Sequence, residues 1–164
     1  MRVAPCLQVH YVKISTTRTP CIGVCSTTSV GDAICRGCKR YAFEVIRWNS
    51  YSDVEKESVL RRIEALAIQI MQDKLTIHSV DLLQRGMESM KLPLNPSLSP
   101  YCWLHNLLQK TPLERLVLAD FGVSVAPAYQ YLSTAALADL IDEELLLLCD
   151  AHFARYFSQM NSFA

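Results

Sequence analysis

The sequence predicts a mainly α protein in which an N-terminal four-cysteine metal knuckle precedes a helical domain. Three observations carry this. Four of the seven cysteines fall inside eighteen residues as Cys21-x3-Cys25 and Cys35-x2-Cys38. Beyond residue 40 the apolar residues recur mostly at helical spacing. Ser, Thr, Pro and Gly stand where helices would begin and end. The expected division is a tail or short strand over 1–18, the knuckle with two helices over 19–75, and a helical domain over 76–164. A chain of 164 residues, 51% hydrophobic and 20% charged, suffices for one core with a small metal-stapled appendage.

Residues 1–18 hold no apolar run long enough for a signal peptide, since Pro5, Gln8 and His10 interrupt it. Leu7, Val9 and Tyr11 alternate with polar residues as in a short strand. Cys6 stands apart from the paired cysteines.

Short cysteine pairs let both thiolates of a pair reach one metal, and the loop between the pairs can fold back so that four sulfurs converge. Gly23 and Gly37 sit inside the pairs, where a knuckle needs a positive φ or room for N–H groups to approach sulfur. Gly31-Asp32 supplies a turn midway. Two disulfides or four separate thiols are the alternative, but disulfides belong to secreted chains. The metal ligands are therefore expected to be Cys21, Cys25, Cys35 and Cys38. The spacing favours zinc, with an iron–sulfur cluster as the alternative, and Arg36, Lys39 and Arg40 would offset the negative charge of the site.

After Cys38, Tyr41, Val45 and Trp48 are spaced as one helical face, with Trp48 expected in the core. Ser52-Asp53-Val54-Glu55 is a capping box. The helix it opens should reach Lys74, with Val59, Ile63, Leu66, Ile70 and their neighbours forming an apolar stripe and Lys56, Glu57, Arg61 and Arg62 lying away from it.

These landmarks carry a family likeness. Pro20-Cys21-x3-Cys25, Cys35-Arg36-Gly37-Cys38-Lys39-Arg40, Glu44 to Trp48 and Ser52-Asp53-Val54-Glu55 resemble the bacterial domain-of-unknown-function 1289 family over residues 19–65. The order around Glu44 differs, with Val45 and Ile46, and Tyr41 stands where that family often has a small hydroxyl residue. Small members are labelled predicted iron–sulfur proteins, so the resemblance implies a metal on the four cysteines and names no activity.

The rest is expected to be all helix. Ser79 opens a helix through Met90, and Pro93, Pro96 and Pro100 mark a linker. A helix over Tyr101–Lys110 follows. Thr111-Pro112-Leu113-Glu114 reads as a second capping box whose helix stops at Gly122. Ser133 opens the last helix, from Thr134 to about Met160. Cys102-x2-His105 and Cys149-x2-His152 each place sulfur and imidazole on one helical face, so a second Cys2His2 site is an option, set against ordinary buried thiols.

No catalytic signature is present: G-x-S-x-G, the Walker loop, G-x-G-x-x-G and H-E-x-x-H are all missing. Ser124, Asp120 and His105 make a triad only on paper. The expectation is a cytoplasmic binding protein rather than an enzyme, with no membrane and no small-molecule substrate; an iron–sulfur protein acting in electron transfer or redox sensing is the alternative. Formal net charge is zero, but residues 1–75 carry eleven Lys and Arg against seven Asp and Glu, and 76–164 five against nine. A protein partner is expected and a nucleic acid is the alternative, met by Arg36, Lys39, Arg40 and Arg47 or by Tyr156 and Phe157.

Overall fold

The structure is a computed structural model and describes residues 19–157. Cys6, the strand expected near 7–11 and the last helix beyond Phe157 lie outside the described residues. Within them the protein is mainly α, with six helices and one two-stranded antiparallel sheet.

Helix α1 (Ser26–Val30) lies between the two cysteine pairs and ends at Gly31, whose φ is +79°. Residues 34–41 form a tight hairpin: Ile34 bridges Tyr41, and the Cys35 N–H donates to Arg40 O at 2.8 Å. Helix α2 (Ala42–Arg47) leaves this hairpin, its start closed by Glu44, which accepts the Tyr41 N–H at 2.9 Å, and it runs into a 3-10 turn over Trp48–Ser50.

Helix α3 (Asp53–Lys74) is the spine. Ser52 caps it and Glu55 bonds back to the Ser52 N–H, the capping box read from the sequence. Its apolar stripe meets two partners, α5 (Pro100–Lys110) and α6 (Thr134–Phe157). Helix α4 (Val80–Ser89) is capped by Ser79, and Gly86 on it leaves the space filled by Phe121, where an added Cβ would fall 2.3 Å from the ring.

The expectation of an all-helical second half is corrected at two places. Strands β1 (Leu75–Ile77) and β2 (Val123–Val125) pair antiparallel, with Leu75 opposite Val125. Thr111 and Pro112 open no α-helix, only 3-10 turns over Leu113–Arg115 and Leu118–Phe121, which do stop at Gly122. Leu116, Leu118 and Phe121 are all buried, and a straight helix would turn one of them out to solvent.

Two clusters make the core. The larger joins Met71, Leu75, Leu83, Met87, Leu104, Leu107, Leu137 and Ile141. The smaller joins Ile34, Tyr41, Ala67, Leu145 and Cys149, with Phe43, Phe153 and Phe157 against it. Helix α3 contributes to both, so the division expected at 75/76 falls inside β1 and cuts through the larger cluster.

Candidate metal centre

The hairpin that carries Cys35 and Cys38 aims main-chain N–H groups at sulfur. Burial works to raise the Cys35 thiol. The N–H of Cys38, the Cys38 thiol, and the N–H groups of Gly37 and Ser26 outweigh it and pull Cys35 down to about 6. For Cys38, burial wins and raises the thiol, against the side chain and N–H of Arg40. Arg40 Nε donates to Cys38 Sγ at 3.2 Å.

On the facing segment, Gly23 has φ +101° and its N–H donates to Cys21 Sγ at 3.5 Å. Gly37 serves differently: a Cβ there would fall 2.7 Å from Ile22 Cδ1, so its bareness lets the 20–25 segment lie on the hairpin. Cys25 is the residue before α1, and Ser26, next to it, reaches the hairpin twice. Its N–H faces Cys35 Sγ and its Oγ accepts the Arg36 N–H at 2.9 Å. The two pairs thus lie side by side. Cys35 and Cys38 are buried, Cys25 half-buried and Cys21 exposed. Among the described residues no three His, Cys, Asp or Glu side chains stand in metal-holding geometry.

The donor set itself fits a thiolate-bound metal. N–H groups converging on cysteine sulfur stabilise the anionic form that a metal requires, and such outer contacts tune the ligands of metal sites.

The second Cys2His2 option is not assembled. Cys149 and His152 sit around Tyr41, whose hydroxyl lies 2.9 Å from His152 Nδ1. Cys102 and His105 instead line a cavity of about 280 Å³ with Cys38, Lys39, Glu64 and Leu145. Burial pushes the Cys102 and Cys149 thiols up to about 11, the ordinary fate of cysteines in a core. Ser124 meets His78 rather than His105, at 2.6 Å across the ribbon.

The expected basic face is corrected too. Arg36 and Arg47 are exposed, but Lys39 and Arg40 are buried. Lys39 has φ +60°, which turns its side chain inward to Asp142 and to the carbonyl of Arg36. Arg40 lies over the Trp48 ring, 4.5 Å from its centre. Arg62 and Lys56, expected on the outer side of α3, turn in as well. Arg62 stacks on Tyr41 at 3.6 Å and pairs with Glu44 at 2.8 Å. A charge pattern alone carries no sign that an aromatic face or a buried carboxylate waits for it. Trp48 is in the core as expected. Of the two aromatic candidates near the end of α6, Tyr156 is exposed and Phe157 packs on Tyr41 and Phe43.

Among the described residues no helix is long and apolar enough to cross a membrane. Over 44 residues the chain is 46% identical to the uncharacterized protein YdhL of Escherichia coli (strain K12), and equally to that of Shigella flexneri. The aligned stretch is 27% of this chain and 53% of each relative, so the chain spans about half the length of the curated relatives it matches. No solved structure matches the chain. Residues 19–67, with all four cysteines of the paired set, are the part that matches the family described as Protein of unknown function (DUF1289).

Proposed function

We propose that Cys21, Cys25, Cys35 and Cys38 hold one metal, zinc in preference to an iron–sulfur cluster, and that the protein is a cytoplasmic binding module rather than an enzyme. The observation that supports this most is the set of donors on sulfur: main-chain N–H groups on Cys35, the Arg40 guanidinium on Cys38 and the Gly23 N–H on Cys21. Three of the four sulfurs receive the contacts that a metal thiolate needs.

Four cysteinates around zinc leave no open position for water or substrate, so such a site supplies folding energy and no Lewis acid. When bound, the metal would tie the 20–25 segment to the hairpin. This would fix the exposed Ile22, Val24 and Val30 on one module, and exposed apolar residues beside a rigid site suit a protein partner. A nucleic-acid partner loses support, because Lys39 and Arg40 are buried.

The test is elemental analysis of the purified protein together with its visible spectrum. One zinc per chain and no colour supports the reading. A brown protein with charge-transfer bands carries an iron–sulfur cluster on the same ligands. Absence of any stoichiometric metal after purification and after anaerobic reconstitution removes both.

A further inference from the structure

We propose that Arg40 is the counter-charge of the four-cysteine centre and sets how tightly its metal is held; this rests on the metal reading above. Arg40 is 3% exposed, and among the described residues no carboxylate lies within ion-pair distance of it. A guanidinium out of water needs an anion, and removal of one partner of a buried pair is costly. Its direct neighbours are the Cys38 sulfur, 3.2 Å from Nε, and the face of Trp48; the Glu44 carboxyl feels Arg40 only through space and is bonded to Arg62 at 2.8 Å. A neutral thiol is a poor partner for a permanent cation; a sulfur in an anionic four-thiolate centre is a good one.

The other basic residues of the motif are otherwise engaged. Lys39 is answered by Asp142 and Arg36 by Asp32, and Arg47 is exposed. Arg40 also holds the main chain of the other cysteine of its pair, because its carbonyl accepts the Cys35 N–H at 2.8 Å. One residue therefore locks the hairpin through its main chain and faces the centre through its side chain. A planar, weakly hydrated guanidinium suits this place, with Trp48 against one face and sulfur at its edge.

The experiment compares wild type with Arg40→Met, Arg40→Gln and Arg40→Lys. Each is titrated with cobalt(II) and with zinc(II) against a chromophoric chelator, with far-UV circular dichroism to follow the fold. We expect all to bind one metal per chain with the same cobalt–thiolate charge-transfer bands. Affinity should fall about 10–100-fold in Arg40→Met and Arg40→Gln, as for other groups behind a metal ligand, and less in Arg40→Lys. Equal affinities within about twofold, well under that range, overturn this proposal alone. So does failure of both neutral variants to fold with metal in excess, since Arg40 would then serve the fold and not the metal. A wild type that takes up neither metal overturns the four-cysteine reading and this one with it.

Discussion

Lys39 Nζ lies 2.6 Å from Asp142 Oδ1, and the lysine side chain is 3% exposed. This single bond joins the cysteine hairpin to the middle of α6. The two ends differ: the ammonium is out of water, whereas the carboxylate is half exposed. Asp142→Ala should therefore leave a buried cation with only the Arg36 carbonyl, at a loss of about 1–3 kcal/mol, below the full cost for a wholly buried pair because water reaches Asp142. Urea unfolding measures it. Lys39→Met on the Asp142→Ala background should recover part of the loss, and an unchanged midpoint in Asp142→Ala would show that the ammonium finds water instead.

Replacing any one of Cys21, Cys25, Cys35 or Cys38 by Ser should release the metal, while Cys6→Ser and Cys102→Ser keep it. Loss of a thiolate from a closed site removes folding energy along with the metal, so proteolysis should begin within residues 19–50 in the four variants. Metal content by elemental analysis decides the matter. Full retention in Cys21→Ser would exclude the exposed cysteine from the site.

Helix starts were legible because their signals are local. Ser52, Ser79 and Ser133 each accept from an N–H three residues on, and Gly122 ends its segment with φ +67°. The ribbon was not legible. Its strands are three residues each, too short for a period-2 pattern, and they pair across forty-odd residues that include two helices. Thr111-Pro112 misled because a capping box is a local preference that packing overrides: Thr111 Oγ1 is buried with no partner, and the following residues turn as the core requires. In the candidate site the cysteine spacing was visible, but the destination of the charges was not. Lys39, Arg40 and Arg62 read as solvated because their partners, Asp142, Cys38 and Tyr41, lie elsewhere in the chain or on the far side of a turn.

Acid should weaken the fold through its histidines. Burial is the main cause that holds His105 below the ordinary imidazole value of 6.5, with Asp142 opposing it and Lys39 assisting. His152 is held down by burial, Arg62 and Arg155. Below 6.5 the unfolded chain takes up protons that the folded chain resists, so stability is full above that value and declines as pH falls past it. The buried Glu44 and the half-buried Glu64, both raised by desolvation, contribute in the opposite sense nearer the carboxylate range. Comparison of wild type with His105→Gln isolates the imidazole. Between about pH 7.5 and 5.5, urea midpoints should fall less in the variant, and parallel curves would show that His105 titrates as it does in water.

The chain should not tolerate a cut between residues 75 and 76. Residues 76–164 have their own caps and apolar stripes, and the sequence alone argues that they fold by themselves. The structure argues otherwise. Met71 and Leu75 are at most 1% exposed within the larger cluster, Ile70 packs against it, and Leu75 to Ile77 is the partner strand of Val123 to Val125. Removing everything before residue 76 deletes two fully buried side chains, each worth about 2–5 kcal/mol by analogy with large-to-small core changes, and unpairs the ribbon. Together these losses are comparable to the whole stability of an ordinary domain. A fragment of residues 76–164 should therefore show no cooperative thermal transition and bind a hydrophobic dye. A fragment of residues 52–164, which restores the whole of α3 with its cap, should regain a transition. Cooperative unfolding of the shorter fragment would mean that α3 merely leans on a core complete without it.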